Sequence, residues 1–532
     1  MSKKLNDLDW HKGKDGYIFN DSDNASKIKE LLGGTGCGFC LAKFKQVTLH
    51  LGTGMTHSCH HPAPHKIPLD ELADNPAALF NTQHLKHARK QMLNNERPSE
   101  CDYCWRVEDE GGTSDRTYKS LESWALPDHD RIAALRGDED IYPSYLEVSF
   151  SNVCNMKCTY CGPEYSSKWV EELKKDGPVK LLDGTKHEQW SHGYQDLDSL
   201  NIKNRDYNPY VEAFWQWFPE IYRKLRVFRM TGGEPLMDKN TFKVLDYVNE
   251  NPHGQLEVSI TSNMCPPDQK LFDKFVEKVK ALEELRTYED KENFNVHSGN
   301  NWYVDKGFKH FWLFVSLDGF GEQAEYMRTG LEFERMLNNV RTFLRETKYS
   351  TVSFINTFNI MSIPSLHKFL EMVLELRAEF GGRSQVEFEI SPEQTEVEKE
   401  NDIVHKVYTQ KKYQRVFFDI PILRYPPWFS IQNAGQYGID EVERCLKYME
   451  DNVQGDDYLE TFEGFKPYEI LKIKRDLAIM KESLPQDQLL LNKKNFYMFI
   501  TEYDRRRQTN FMETFPELKS YWRECIKAHT KH

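Results

Sequence analysis

Residues 145–161 read YLEVSFSNVCNMKCTYC and combine a β-rich run with three closely spaced cysteines. The run at 145–150 is rich in β-branched and aromatic residues and predicts a strand. Cys154, Cys158 and Cys161 follow at once, in a loop that leads toward a helix-period segment. Three thiolates at these spacings can converge on one iron–sulfur cluster, and a cluster held by only three cysteines keeps one iron open to a small molecule. A zinc site with a fourth ligand from elsewhere in the chain is the alternative.

Strands and helices continue to alternate along the chain. Further β-rich runs lie at residues 227–231, 256–261, 311–317, 352–358 and 385–390. Helix-period segments lie at residues 241–250, 268–285, 333–347 and 365–379. Because short strands that alternate with helices typically form parallel sheets, the sequence predicts an α/β fold of successive βα units. The long gaps at 150–227 and 261–311 leave room for inserts, which α/β enzymes commonly use for substrate contacts.

The chain divides into three regions of different character. Residues 1–140 are expected to form a small separate domain, with a short β signal and a helical stretch of their own. Residues 141–395 are expected to form the α/β domain, with inserts near 164–225 and 265–310. Residues 396–532 begin with an acidic linker and continue as a mostly helical C-terminal extension, in which we expect amphipathic helices at 467–484 and 495–507.

Composition excludes several classes of protein. The 532 residues carry 70 Lys+Arg and 83 Asp+Glu, a formal net charge of −13, which argues against a nonspecific nucleic-acid partner. The sequence has no window of about 18 uncharged apolar residues, and its start, MSKKLNDLDW, lacks the apolar core of a secretory signal. We therefore expect a cytoplasmic protein with no membrane partner. In a reducing compartment its 11 cysteines should be either buried or bound to metal.

The motif CxxxCxxC, with Tyr160 directly before the last cysteine, resembles that of the radical S-adenosylmethionine (SAM) superfamily. The second β-run ends in TGGEP at residues 231–235, which resembles the GGE motif of the same family. Two glycines let the backbone approach a ligand closely, and the carboxylate beside them can receive an ammonium group. The resemblance covers about residues 145–390.

The resemblance implies a partial (β/α)6 barrel whose first loop holds a 4Fe-4S cluster at Cys154, Cys158 and Cys161. The open iron would bind SAM. An electron, from a donor such as flavodoxin or ferredoxin, would cleave SAM to methionine and a 5′-deoxyadenosyl radical that abstracts a hydrogen atom from substrate. Residues at the strand ends would contact SAM, namely Gly232, Gly233, Glu234, Asn263, Ser316, Asp318 and Arg328. Arg328 also offers a forked donor suited to a carboxylate, and the sequence identifies no residue that transfers a proton.

The N-terminal region carries five further cysteines. Four of them resemble the cysteine pattern of twitch domains, the SPASM-like auxiliary-cluster modules of radical SAM enzymes. That resemblance implies an auxiliary 4Fe-4S cluster on Cys40, Cys59, Cys101 and Cys104, with Gly54 relaxing the turn between the first two. The module precedes the barrel here, whereas it more often follows it. The alternative is a zinc site of Cys37, Cys40, Cys101 and Cys104, which leaves Cys59 unexplained.

The leading hypothesis is an enzyme that cleaves SAM reductively to modify a peptide or protein. A radical SAM enzyme acting on a small molecule or nucleotide is the second possibility. The alternative from a different class is a noncatalytic zinc-binding interaction protein. The tail at residues 495–518 resembles the ends of twitch-domain radical SAM proteins of phages and bacteria, and its Arg505-Arg506-Arg507 run predicts a solvated helix face.

Overall fold

The computed structural model describes residues 22–182, 197, 207–284, 308–348, 350–380, 415–453 and 464–530. Within these residues one nine-stranded sheet forms the centre of the molecule, and a two-stranded ribbon lies apart from it. The strands, in chain order, are β1 Gln46–His50, β2 Met55–His57, β3 His65–Lys66, β4 Tyr145–Ser149, β5 Lys157–Cys158, β6 Val227–Thr231, β7 His253–Ser262, β8 Phe308–Ser316, β9 Arg328–Thr329, β10 Thr351–Ile355 and β11 Val416–Asp419.

The large sheet has the strand order β11-β10-β8-β7-β6-β4-β1-β2-β3. Its pairs from β11 through β4 to β1 are all parallel. The short strands β2 and β3 extend the edge in antiparallel fashion. The α/β fold with a parallel sheet is therefore confirmed.

The α-helices cover both the connections between strands and the C-terminal region. They span Ser22–Thr35, Leu41–Lys45, Leu69–Asp74, Gln83–Leu93, Asp102–Asp109, Asp115–Leu121, His129–Ala133, Ser167–Asp176, Pro209–Tyr222, Lys239–Glu250, Gln269–Glu284, Gly321–Met327, Phe333–Glu346, Leu366–Phe380, Gly435–Asp451, Pro467–Lys481, Gln486–Arg507, Phe511–Thr514 and Lys519–Thr530. The helix-period segments of the sequence match four of the helices described between β6 and β11, namely Lys239–Glu250, Gln269–Glu284, Phe333–Glu346 and Leu366–Phe380, and the helical C-terminal region is confirmed.

Local sequence explains where the helices beside the cysteine loop begin. Ser166 caps the helix Ser167–Asp176 by accepting a hydrogen bond from the Trp169 N–H, and Gly177 ends it. Asn208 caps the next helix with its side chain, and Pro209 occupies the first helical position, where a missing N–H costs nothing. These caps fix the starts of the two helices described between β4 and β6.

The predicted strand at residues 385–390 lies outside the described residues. The strand that pairs with β10 is β11, Val416–Asp419, which lies beyond the predicted boundary at residue 395. Its four residues, VFFD, are too short to show an alternating pattern, and an acidic stretch separates them from the earlier elements. The sheet therefore extends into the region predicted to be a C-terminal extension.

The N-terminal region shares the central sheet. Strand β1 pairs in parallel with β4, from Gln46 opposite Tyr145 to His50 opposite Ser149. Backbone hydrogen bonds from Ser144 to Lys45 and from Leu51 to Ser149 continue the ladder beyond both ends. The sheet therefore continues across the domain boundary that was predicted at residue 140.

Side chains alternate between the two faces of each strand. On β1, β4 and β6 one face carries apolar residues that are fully buried, including Leu49, Val148 and Met230. The opposite face carries polar residues such as Thr48, Glu147 and Thr231, which line a cavity and are called here the cavity face. The apolar face forms the core, and the cavity face is available for chemistry.

The C-terminal region docks on the sheet through a buried ion pair. Arg377, on the helix Leu366–Phe380, donates to Glu469 at 2.7 Å, and both side chains are almost completely buried. Arg377 also donates to the Val416 carbonyl of β11. None of the helices in the described ranges is long and apolar enough to cross a membrane.

We predict that Glu469→Ala lowers the free energy of unfolding by about 3–5 kcal/mol, because it leaves the buried Arg377 guanidinium without its counter-charge. Urea unfolding measures this loss. Glu379→Ala is the matched control, since Glu379 lies on the same helix as Arg377 but pairs with Arg341 and Arg345 at the surface. It should cost about 1 kcal/mol or less. Equal losses in the two variants would contradict the importance of the buried pair.

Candidate active site

The three-cysteine loop follows β4 and is pinned to the start of the helix Ser167–Asp176. The Cys154 N–H donates to Ser167 Oγ, and Ser167 Oγ in turn lies 3.2 Å from the Cys154 carbonyl. Ser166 donates to the Met156 carbonyl at 2.6 Å, and the Trp169 indole N–H donates to the Cys158 carbonyl at 3.0 Å. The loop conformation is therefore set by the helix that follows it.

Burial controls the protonation of the three thiols. It raises the pKa of Cys154 to about 12, with the Cys158 charge adding to the effect. Burial also raises the pKa of Cys161 well above its usual range, and both other thiols contribute. Because burial and the neighbouring thiols both raise these pKa values, ionising the three thiols together requires a compensating positive charge. An iron–sulfur cluster supplies that positive charge and ionises its cysteine ligands.

The glycines of the TGGEP motif pack against the cysteine loop. Gly232 has φ +121°, and a Cβ there would meet Ser149 Oγ at 2.3 Å. A Cβ on Gly233 would lie 2.2 Å from the Val153 carbonyl oxygen. The next N–H, from Glu234, donates to that same carbonyl at 2.7 Å. Because these glycines have no side chains, the end of β6 can contact the cysteine loop. From the sequence, the glycines were expected only to let the backbone approach a ligand.

Glu234 is buried and already has donors within the protein. Its carboxylate accepts from Ser262 Oγ at 2.8 Å and from the N–H groups of Leu236 and Asn263. Burial raises its pKa, although these hydrogen bonds oppose the shift. The Asn263 amide extends the network by donating to Asn155 in the cysteine loop at 2.9 Å. The ends of β6 and β7 are thus tied to the loop between the first two cysteines.

Asp318, Arg328 and Tyr160 form a buried network beside Cys158. The Asp318 carboxylate lies 2.8 Å from Arg328 Nε and accepts from the Tyr160 hydroxyl at 2.9 Å. Arg328 donates to the Tyr160 oxygen at 2.6 Å and reaches the Cys158 sulfur at 3.5 Å. Burial would lower the pKa of Arg328, but the Asp318 charge and its other neighbours raise it well above its ordinary value. A permanent guanidinium cation therefore faces the central thiol of the motif.

The structure brings six of the seven predicted SAM-binding residues into contact with the cysteine loop or its network. Ser316 is the exception. It makes no such contact within the described residues, although it ends β8 two residues before Asp318. Arg328 binds the carboxylate of Asp318. The sequence had led us to expect that its guanidinium group would bind the carboxylate of a ligand. Cys265 is buried, and its carbonyl accepts from Asn155 at 2.7 Å.

The N-terminal region brings four cysteines together around one cavity. Cys40, Cys59, Cys101 and Cys104 all line it, together with Lys43 and Trp105. Burial raises the pKa of Cys59 and Cys101 to about 12 and that of Cys104 to about 11. Cys37 lies elsewhere, exposed at the surface, where its sulfur is 3.1 Å from the Asn95 carbonyl oxygen.

Local structure explains how these cysteines converge. Cys59 follows the β1–β2 hairpin, whose turn contains Gly54 at φ +64°. A Cβ at Gly54 would lie 2.2 Å from the Tyr210 ring, so both the backbone angle and the packing require glycine. The buried Lys43 ammonium contacts Glu100, and the charges of Cys101 and Cys59 also favour its protonated form. The cavity thus sets a cation beside its thiols.

Both cysteine sets offer thiols that could hold a 4Fe-4S cluster. Within the described ranges, no three His, Cys, Asp or Glu side chains converge on one point that would hold a metal ion. A 4Fe-4S cluster presents separate irons to separate thiolates, so it does not require such convergence. The loop of Cys154, Cys158 and Cys161 would leave one iron for another ligand, and the four N-terminal thiols would close their cluster.

A second cavity, of about 430 Å³, lies between the two cysteine sites. It is lined by Thr48, His50, His57, His60, Pro62, Pro64, Glu147, Ser149, Tyr165, Thr231 and Gly232. Gly232 belongs to the TGGEP motif, whereas His60 and Pro62 also line the cavity of the N-terminal cysteines. This cavity therefore connects the surroundings of the two sites.

Sequence reasoning missed the charged residues of this central cavity. Burial would raise the pKa of Glu147, but Arg229, His60 and His57 hold it below its usual value. Burial and the neighbouring His57 lower the pKa of His50 to about 4, so its imidazole is neutral at pH 7. The sequence did contain a signal for this pair. Glu147 and Arg229 are charged residues inside two otherwise largely apolar β-runs, YLEVSF and VFRMT.

Comparisons with known proteins show which family part of this chain resembles. Residues 148–373 match the family model described as "Radical SAM superfamily". No curated protein matches this sequence. Solved structures with some likeness include native anSMEcpe with bound AdoMet, at 14% identity and a TM-score of 0.30, over 60% of this chain and 62% of that chain. Another is SuiB of Streptococcus suis bound to S-adenosylmethionine, at 13% identity and a TM-score of 0.29, over 72% of this chain and 73% of that one.

The match to anSMEcpe spans less than two thirds of that chain. The family match runs from the end of β4 into the helix Leu366–Phe380 and includes the three-cysteine loop, the TGGEP motif and the Asp318–Arg328 pair. It ends before β11 and does not include the N-terminal cysteines. Residues 148–373 therefore form a domain that matches the radical SAM superfamily.

Proposed function

We propose that this protein is a radical SAM enzyme that cleaves SAM reductively and uses the resulting 5′-deoxyadenosyl radical to modify a peptide or protein. The observation that carries the proposal is the buried loop of three thiols faced by the Arg328 guanidinium. Bound there, a 4Fe-4S cluster would supply the electron for SAM cleavage and an open iron to hold SAM. An external donor such as flavodoxin or ferredoxin would reduce the cluster.

The chain's own residues would orient the cofactor and exclude water. Gly232 and Gly233 place backbone groups beside the loop, and Glu234 and Asn263 present carboxylate and amide groups at adjacent strand ends. We propose that these residues and Ser316 contact SAM. Asp318 and Arg328 would also contact it while holding Tyr160 and Cys158 in place. Burial of this network lowers the local dielectric and strengthens each charged contact.

We further propose that residues 1–140 include a twitch domain whose Cys40, Cys59, Cys101 and Cys104 hold an auxiliary 4Fe-4S cluster. The common cavity of these four thiols and the neighbouring Lys43 cation support this assignment. The exposed position of Cys37 argues against the zinc site that would require it.

The central cavity is the proposed place for the substrate side chain that reacts. Its volume falls within the range of ligand sites in proteins. It borders Gly232 on one side and the residues around the N-terminal cysteines on the other, so a bound group would lie between the two clusters. Glu147 supplies a buried carboxylate and His50 a neutral imidazole, which can receive hydrogen-bond donors from a polar side chain.

Substrate class can be tested with purified, anaerobically reconstituted protein, SAM and a strong reductant. Cell extract is separated by ultrafiltration into a macromolecular and a small-molecule fraction, and 5′-deoxyadenosine is measured with each. Our proposal expects the macromolecular fraction to stimulate its formation, and expects protease treatment to remove that stimulation. Stimulation by the small-molecule fraction alone would instead indicate a small-molecule or nucleotide substrate.

We predict that Cys158→Ala abolishes 5′-deoxyadenosine formation, because the variant loses the central ligand of the SAM site. Reconstituted wild-type protein should contain about eight irons, and the variant about four, since the N-terminal site draws on other cysteines. Cys445→Ala, which removes a buried cysteine on the helix Gly435–Asp451 that belongs to neither cysteine set, is the control and should keep both the iron and the activity. Four irons with stoichiometric zinc in the wild type would indicate zinc at the N-terminal site.

The N-terminal ligands can be separated by comparing Cys37→Ser with Cys40→Ser in a background that lacks Cys154, Cys158 and Cys161. We predict that Cys40→Ser loses the auxiliary cluster on gel filtration, because an opened shell exposes an iron to solvent. Cys37→Ser should retain it. Iron content and cluster absorbance measure both outcomes. Loss of iron from the Cys37 variant and retention in the Cys40 variant would overturn the assignment.

A further inference from the structure

The three arginines near the end of the helix Gln486–Arg507, called here the tail helix, do not share one environment. Arg505 is 61% exposed and pairs with Glu502 on its own helix. Arg506 and Arg507 are only 2% and 3% exposed. The predicted solvated face is therefore correct for Arg505 and wrong for its two neighbours, because they pack beside the radical SAM domain.

Arg507 begins a chain of hydrogen bonds that ends next to Arg328. Its Nε donates to Thr329 Oγ1 at 3.0 Å. The Tyr503 hydroxyl donates to the Tyr326 carbonyl at 2.7 Å, so it accepts from the Thr329 hydroxyl 2.6 Å away. Tail-helix side chains thus bind both the backbone before Arg328 and the side chain after it.

The same contacts reach the cysteine loop through the two-stranded ribbon. In this ribbon Thr329 lies opposite Lys157, and Arg328 lies opposite Cys158. A shift of Thr329 therefore moves Arg328 and the backbone of Cys158 together.

A buried carboxylate joins the other side of the ribbon to the tail helix. Glu172 accepts from Arg507 at 3.1 Å and from Lys157 at 2.7 Å, and Arg506 lies 3.6 Å away. Glu172 and Trp169 belong to the same helix, and Trp169 holds the Cys158 carbonyl. The Arg507 guanidinium also lies over the rings of Tyr503 and Trp169.

We infer that the tail helix is a positioning element of the SAM site. Arg507 and Tyr503 both hold Thr329, and Arg507 also holds Glu172. Together they fix Cys158 and Arg328 relative to each other. This inference rests on the proposed function of the three-cysteine loop. It assigns to the C-terminal extension a role in SAM binding, although none of its residues lies in the family match.

The test compares variants that keep or remove single hydroxyl groups. Thr329→Val and Tyr503→Phe break the hydrogen-bond chain with little change in volume, whereas Thr329→Ser keeps its hydroxyl. Arg505→Ala removes an exposed charge from the same turn and is the control. KM for SAM is measured from 5′-deoxyadenosine formation, and the reduced three-cysteine cluster is followed by electron paramagnetic resonance with and without SAM. The spectrum of Cys158→Ala is subtracted to remove the auxiliary cluster.

We expect Thr329→Val and Tyr503→Phe to raise the KM for SAM roughly three- to tenfold, the effect of one lost buried hydrogen bond on a bound state. We also expect them to change the SAM-induced shift of the spectrum. Thr329→Ser and Arg505→Ala should match the wild type in both measurements. Wild-type KM and spectra in Thr329→Val and Tyr503→Phe, with only a lower melting temperature, would overturn the inference. If the wild type forms no 5′-deoxyadenosine, the proposed function fails, and the spectra alone then decide the positioning role.

Discussion

The Arg328 guanidinium, buried between the Asp318 carboxylate and the Cys158 sulfur, is the contact on which the arrangement of the site depends. Burying one charged group without a partner costs several kcal/mol, so this cation requires Asp318 and the neighbouring Tyr160 hydroxyl. Arg328 thereby places a fixed positive charge beside the loop of three cysteines, whose thiol pKa values are raised by burial. The ribbon β5–β9 sets Arg328 opposite Cys158, and the ends of β6 and β7 are tied to the same cysteine loop through Glu234, Asn263 and Asn155.

Continuity of the sheet determines how the two cysteine sites face each other. Strand β1 extends the parallel sheet beside β4, and the hairpin that follows β1 carries Cys59. Because β1 and β4 are in register, their polar side chains point to one cavity between the sites. The N-terminal region, which precedes this domain in sequence, thus lies next to its first strand as part of the same sheet.

Much of the fold and of the candidate site was predictable from the sequence, since both depend on local patterns. The three cysteines and the glycine pair have fixed spacings, and the strands before them have a clear β composition. The strand Val416–Asp419 was not predictable, because four residues carry no period and its partner β10 is distant in sequence. The burial of Arg506 and Arg507 likewise depends on tertiary contacts with Glu172 and Thr329, which no local pattern encodes.

The central claim is that SAM binds directly to an iron held by Cys154, Cys158 and Cys161. Electron–nuclear double resonance on the reduced protein, with SAM labelled with 15N at its amino group, measures this most directly. Our account predicts a 15N hyperfine coupling in the wild type that disappears in Cys158→Ala while the auxiliary cluster signal remains. A full complement of reduced clusters without any 15N coupling, or the same coupling in Cys158→Ala, would contradict it.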